Sequence, residues 1–300
     1  PPLNITIIYK GNRMLNTYVV EGGVGKCTAF TALIPKLKKK AEVQIYTPYI
    51  DCFAGNPDVK LVLEETLPLR DPRIMASDNI FYCEPYKSNF QFGKQHLIES
   101  YCEHHGVQYD KSMLPKLYTE QHKESVDKWL KTNEIEKYIM IQFSGGQPKW
   151  NYADNVQYTN INPNRNYQPY LAQQLVNMLR EEYKDTTIIN CVLPNEPHYN
   201  DTIRCDLHWA QIHEMLKGAE TFVAIDSCLN HFSPSANKKG VVIWGSTRWT
   251  QFGYDQNINL QFHMQDKWDE TKFNDSDPRN NMVEPRSIID NLKKLKKKVN

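Results

Sequence analysis

Short, continuous apolar runs alternate along this chain with amphipathic stretches of helical length. The clearest case lies between Thr221 and Thr247. There Phe222 to Ile225 ends on Asp226-Ser227, and a second run, Val241 to Trp244, closes on Gly245-Ser246-Thr247. Two buried-strand runs joined by a small-residue, helix-length connection predict a βαβ unit in a parallel sheet. The first half repeats the scheme. Ile5 to Tyr9 and Tyr18 to Val20 read as β-branched and aromatic strands, and the turn Gly22-Gly23-Val24-Gly25 follows the second. Thr28 to Lys40 then carries Phe30, Leu33, Ile34 and Leu37 at helical spacing before the strand Val43 to Tyr46. The middle, Asp71 to Lys131, is polar and aromatic with weaker periodicity. It contains one predicted helix, Lys94 to His105, with His96, Ile98 and Tyr101 turned inward.

The pattern restarts at the apolar strand Tyr138 to Phe143. A helix is predicted from Tyr170 to Tyr183 (Leu171, Leu175, Met178 and Leu179 on one face), then a strand from Thr187 to Val192 and a helix from Asp206 to Leu216. After the Thr221–Thr247 unit, a polar segment from Gln265 to Asn281 leads to a last helix, Ser287 to Lys298. Repeated βα units on both sides of a break near residue 135 predict an α/β protein of two Rossmann-like parallel-sheet domains facing a cleft. The expected division is 1–135, 136–283 and a C-terminal helix over 284–300.

Composition narrows the chemistry. The formal net charge is +1, so the chain as a whole carries no polyanion-binding signature, although a local basic groove stays open. No apolar run approaches the ~20 residues of a membrane-spanning helix. The start, Pro1-Pro2-Leu3-Asn4, has no basic or apolar signal region, which leads us to expect a processed or trimmed cytoplasmic protein. The 7 cysteines are widely spaced with no C-x-x-C pair, an arrangement of reduced thiols. The 9 histidines show no H-x-x-x-H spacing, so no metal site and no cofactor are expected.

Ligands of parallel sheets sit at the carboxyl ends of strands, and several polar groups fall there. Ser144-Gly145-Gly146 with Lys149-Trp150 follows one strand, Asn195-Glu196-Pro197-His198 another, and Asp226-Ser227 with His231 a third. A helix N-terminus behind Asp226 and Ser227 makes an anion site of backbone amides plus a hydroxyl. A rival signal is Glu21 to Thr28, EGGVGKCT, which looks like the deviant phosphate loop KGGVGKTT of partition-type ATPases. On that reading Gly22, Gly23 and Gly25 cradle phosphate and Lys26 neutralises it. Cys27, however, stands where a Mg²⁺-binding hydroxyl is needed, and no apolar strand downstream ends in the Asp-x-Pro/Gly that would hold the metal. The bland reading of these glycines is a tight strand-to-helix turn.

The pattern D-S-x-x-x-H, followed by a hydrophobic strand and G-S-T, resembles the donor-binding segment of glycosyltransferase family 9, the ADP-heptose:lipopolysaccharide heptosyltransferases. The likeness extends over roughly residues 138–255. It implies a GT-B fold and transfer of a sugar from a nucleoside-diphosphate sugar, inverting and metal-independent, with the nucleotide sugar as co-substrate. By resemblance, Ser144, Gly145 and Lys149 lie at the diphosphate and Glu196 binds the ribose. Asp226, Ser227 and Cys228 form the anion site, with Cys228 replacing the family's usual glycine, and His231 donates to a phosphate. The family's general-base Asp falls on Gly25, so that role does not carry over. Candidate bases are Glu21, beside the glycine turn and expected to face the cleft, then Asp51 and Glu84. The implied acceptor is a glycan of the lipopolysaccharide kind. The Asn/Lys/Tyr-rich style also resembles family-9-like proteins of viruses of bacteria, which raises a hydroxymethylated base in DNA as the alternative and bacterial or infected-cell cytoplasm as the place. The other readings are a phosphate-loop ATPase using Lys26 and a catalytically silent nucleotide-binding scaffold.

Overall fold

The computed structural model describes residues 13–145, 148–151, 156–159, 165–193, 196–205, 207–262 and 279–297. The expected strand Ile5 to Tyr9 lies outside them, as does most of Gln265 to Asn281.

The first half forms a four-stranded sheet in the order β3-β2-β1-β4, with every neighbouring pair parallel. Its elements begin with β1 (Leu15–Val19), α1 (Val24–Phe30), α2 (Ile34–Lys40) and β2 (Glu42–Thr47). They continue with β3 (Val59–Glu64), α3 (Pro72–Met75) and β4 (Asn79–Tyr82). The helix expected from Thr28 starts four residues earlier, within the glycine turn, and a 3₁₀ turn at Thr31–Leu33 divides it. Two further helices, α4 (Ser88–Gln91) and α5 (Leu97–His104), follow, and Leu97, Ile98 and Tyr101 of α5 join the core beside Phe30. His96 caps α5, its Nδ1 accepting the Ile98 amide proton at 3.2 Å. Next comes α6 (Lys123–Thr132), which the weak periodicity of the middle region concealed. It lies against a helix of the second half, with Gln211 donating to Ser125 Oγ at 3.0 Å.

The second half opens with β5 (Tyr138–Gln142) and an antiparallel hairpin, β6 (Pro148–Asn151) and β7 (Val156–Thr159). It continues through α7 (Pro169–Glu182), β8 (Thr187–Cys191), β9 (Ile203–Cys205), α8 (Trp209–Gly218) and β10 (Phe222–Ile225). The last elements are α9 (Cys228–Ser235), β11 (Gly240–Ile243), α10 (Trp249–Phe252), β12 (Ile258–Leu260) and α11 (Pro285–Lys297). The six-stranded sheet runs β12-β11-β10-β5-β8-β9, all parallel. The central strands are buried along their length because helices cover both faces, and this is why they read as unbroken apolar runs.

Alternate residues of those strands feed two cores. Ile139, Ile141, Val223 and Ile225 face α7 and α11. Met140, Phe222, Ala224 and Val242 face α8 and α9 and join one continuous apolar cluster with Phe30, Leu33 and Tyr101 of the first half. The two sheets are thus packed through a shared core. Edge contacts add to it: Leu117 N–H donates to Ser235 Oγ at 2.8 Å, and the Phe90 and Phe252 rings meet edge-on at 5.4 Å.

Candidate active site

The carboxyl ends of both sheets open on one cleft of about 690 Å³. In each sheet the cleft lies where strand order reverses, at β1 between β2 and β4 and at β5 between β8 and β10. Loops leave such a switch point in opposite directions, and the gap between them is a crevice for a ligand.

The second half supplies a polar floor. Asp226 closes β10 and is 4% exposed. Its Oδ2 accepts from Thr247 Oγ1 at 2.9 Å and faces Arg165 Nε at 3.6 Å, while Arg165 also donates to the Asp226 carbonyl. Gln142, the last residue of β5, turns its amide oxygen onto the start of α9. There it accepts from Ser227 Oγ at 2.6 Å and from the Leu229 amide and Cys228 thiol at 3.4 Å each. An uncharged oxygen therefore occupies donors that a helix N-terminus offers to anions. Burial pushes the Cys228 thiol up to about 11, so it stays protonated at neutral pH. Glu196 accepts the Leu193 amide proton at 2.8 Å, and burial raises its carboxyl above the ordinary range. Beyond Leu193 the wall turns apolar, with Leu207, Trp209, Ile212 and, from the first half, Tyr49. The Tyr49 and Trp209 rings meet edge-on at 6.5 Å.

The first half contributes the glycine turn and Tyr86. Gly22 has φ +103°, a conformation that favours glycine, and the Lys26 side chain lies over it; a Cβ there would sit 2.6 Å from Lys26 Cδ. Lys26 Nζ pairs with Glu84 at 3.3 Å and sits 4.5 Å from the centre of the Tyr86 ring. Cys27 and Thr28 point the other way, into the core. Cys27 Sγ reaches Val20 O and Thr47 Oγ1 at 3.7 Å each, and Thr28 Oγ1 lies 3.8 Å from Cys52 Sγ. Neither side chain is placed to hold Mg²⁺ against a bound phosphate, so the local structure is the tight turn rather than a phosphate loop.

At Gly25 the two halves approach closely. A Cβ at this position would lie 2.4 Å from Cδ2 and 2.9 Å from Nε2 of His231, one turn into α9. His231 is 5% exposed, and its Nδ1 lies 3.1 Å from Tyr254 Oη. Burial pushes the imidazole down to about 4 although Asp226 opposes the shift.

Of the residues expected at a site, the cleft brings together Gly23, Gly25, Lys26, Gly145, Glu196, Asp226, Ser227, Cys228 and His231. Ser144 is buried behind the lining, and the Gly145 amide donates to Asn166 Oδ1 at 3.0 Å. Lys149 is on β6, but its side chain, like Gly146, lies outside the described residues. Glu21 differs from expectation. It is exposed, its charge acts on Tyr46, and it is not among the residues lining the cleft. Asp51 also stands off the lining, at the rim, 3.6 Å from His208 Nδ1. Gln142 and Arg165 were not foreseen. A polar residue closing an otherwise apolar strand was the available signal for Gln142; Arg165, in an irregular Asn-rich stretch, had none.

Two parallel sheets whose switch points share one cleft define the GT-B fold. Solved structures of glycosyltransferase family 9 have this fold over nearly the whole chain. A glycosyl transferase family 9 protein of Veillonella parvula matches with a TM-score of 0.65 at 9% identity, over 94% of this chain and 97% of that one. The ADP-heptose lipopolysaccharide heptosyltransferase II of E. coli matches with a TM-score of 0.64 at 11% identity, over 94% and 98%. E. coli heptosyltransferase WaaC with ADP gives 0.58 at 9% identity, over 94% and 100%. At these identities the likeness is one of fold. No protein-family profile matches the sequence, and no curated protein matches it either.

Proposed function

We propose that the protein is a glycosyltransferase that moves a sugar from a nucleoside-diphosphate sugar to an acceptor hydroxyl, with inversion and without a metal ion. The observation that carries this reading is the polar floor of the cleft. Arg165, Ser227, Thr247 and the first amides of α9 converge beside Asp226 at a switch point, next to an apolar wall that includes Trp209. The diphosphate displaces the Gln142 amide oxygen from α9 and takes its donors. Glu196 holds the ribose, the base lies against Leu193, Leu207 and Trp209, and Lys149 of β6 adds a second cation. As the bond from the anomeric carbon to the diphosphate breaks, negative charge grows on the leaving oxygens. Arg165 and the amides, fixed before the reaction, offset it. The acceptor enters from the first-half side, where Tyr86 offers an aromatic face to a sugar ring and Lys26 a positive charge. Residues 136–283 are on this reading the donor half, the acceptor is a glycan, and the cytoplasm of a bacterium or an infected cell is the site of action.

Thermal denaturation with ADP, UDP and ATP, each with and without Mg²⁺, tests the reading. Stabilisation by a nucleoside diphosphate without Mg²⁺ is expected. Stabilisation by ATP with Mg²⁺ alone, lost in Lys26→Ala, would replace the transferase by an ATPase. Transfer assays on lipopolysaccharide-type glycans and on hydroxymethylated DNA then identify the acceptor, with the glycan expected to be modified.

A further inference from the structure

Sugar transfer with inversion needs a base at the cleft's midline, on the side from which the acceptor attacks. The carboxylates expected there are elsewhere. Glu21 and Asp51 are off the lining, and Glu84 is exposed and paired with Lys26. Within the lining, Asp226 is engaged by Thr247 and Arg165, and Glu196 by the Leu193 amide. His231 is different: it belongs to the donor half but reaches across to Gly25 of the acceptor half, its ring filling the space a side chain at position 25 would take.

We propose that His231 is the general base of the transfer, its Nε2 taking the acceptor hydroxyl proton. This assignment rests on the transferase reading above. In the tautomer required, Nδ1–H donates to Tyr254 Oη at 3.1 Å, which leaves the lone pair on Nε2, the nitrogen beside Gly25 in a residue that lines the cleft. Nε2 makes no hydrogen bond among the described residues. Burial keeps the ring neutral in the resting protein, so the lone pair is present at physiological pH. The acceptor O–H bond breaks as its proton moves to Nε2. The oxygen bonds to the anomeric carbon while that carbon's bond to the diphosphate breaks, and the electron pair leaves on the phosphate oxygen. The imidazolium formed is stabilised by Asp226 and by the new negative charge of the leaving group, against the opposing charge of Arg165; His96 lies behind it. The proton then passes to solvent. Gly25 is the complement of this arrangement, since any larger residue would push the ring aside.

The test separates turnover from donor affinity. ADP and UDP binding is measured by calorimetry, and turnover as nucleoside diphosphate released from ADP-heptose and UDP-glucose with water as acceptor. His231→Gln should lower turnover by about 10²-fold or more and leave ADP or UDP affinity within about threefold. The swap Gly25→Asp with His231→Ala puts a carboxylate into the vacated space and should regain about tenfold or more over His231→Ala alone. Turnover of His231→Gln within tenfold of wild type overturns the assignment. So does an affinity that falls in step with turnover, which would make His231 a phosphate ligand. If His231→Gln does not fold, the swap decides, and no gain over His231→Ala overturns the proposal. A wild-type protein that binds neither ADP nor UDP removes the transferase reading itself, and this assignment with it.

Discussion

Replacing Gly25 with alanine sets two effects of opposite sign against each other. The position lies in the first turn of α1, where alanine should stabilise the helix by roughly 0.5–1 kcal/mol over glycine. The added Cβ, however, would come 2.4 Å from Cδ2 of His231. That atom belongs to a rigid ring, buried and held by Tyr254, so the contact cannot be relieved by swinging a flexible chain end. Overpacking of this kind costs about 1–3 kcal/mol, which exceeds the helix gain. Gly25→Ala should therefore lower the free energy of unfolding by a net of order 1 kcal/mol, read as a lower urea midpoint with an unchanged m-value. In a His231→Ala background the obstacle is gone, and the same substitution should become stabilising by roughly 0.5–1 kcal/mol. The double-mutant cycle should give a coupling of about 1–3 kcal/mol between residues in opposite halves. A Gly25→Ala that stabilises equally in both backgrounds would refute the contact, and with it the account of why glycine stands there.

Other consequences are independent of that pair. Gln142→Glu keeps an acceptor for Ser227 and Leu229 but fixes a negative charge on the cleft floor. Coulomb repulsion at partly screened contact distance is on the order of 2–3 kcal/mol, so ADP or UDP affinity should fall more than tenfold by calorimetry with little change in melting temperature; unchanged affinity would place the diphosphate elsewhere. Asp226→Ala releases Arg165 and Thr247 together and should weaken donor binding by roughly tenfold or more. An unaltered Kd would dissolve the polar floor as a binding site. Burial lowers His213 to about 3 and His231 to about 4, below the unfolded value near 6.5. Between those values the unfolded chain binds protons that the native one refuses. Stability should then be full above pH 6.5 and fall by a few kcal/mol as pH drops towards 4. Urea midpoints across that range check the slope, and a flat profile would mean that the two rings are not held neutral.

What the sequence made legible, and what it hid, follows from burial. The central strands β5, β8, β10 and β11 are covered on both faces, so their composition announced them. The strand β3, at one edge of its sheet, is exposed at half of its positions, and β4, at the other, is exposed at every position. Their residues keep no two-residue alternation of apolar and polar character, and both were missed. The site divides in the same way. Glu196, Asp226, Ser227 and His231 could be placed at the cleft because each follows an apolar run that locates a strand end. Gln142 closes such a run, a polar signal that was available but unread, and Arg165 reaches Asp226 from a segment 61 positions away in sequence, a proximity only the fold creates. Glu21 stands off the lining: it is exposed and precedes Gly22, whose positive φ turns the chain between the strand and α1.

The apolar cluster that runs unbroken from Phe30 and Tyr101 to Phe232 and Trp244 makes the two halves thermodynamically one object. Neither can melt without wetting a surface that belongs to the other. Heating should therefore give a single calorimetric endotherm rather than a peak for each sheet. A nucleotide gripped only by the second half should delay the loss of secondary structure in the first by the same number of degrees.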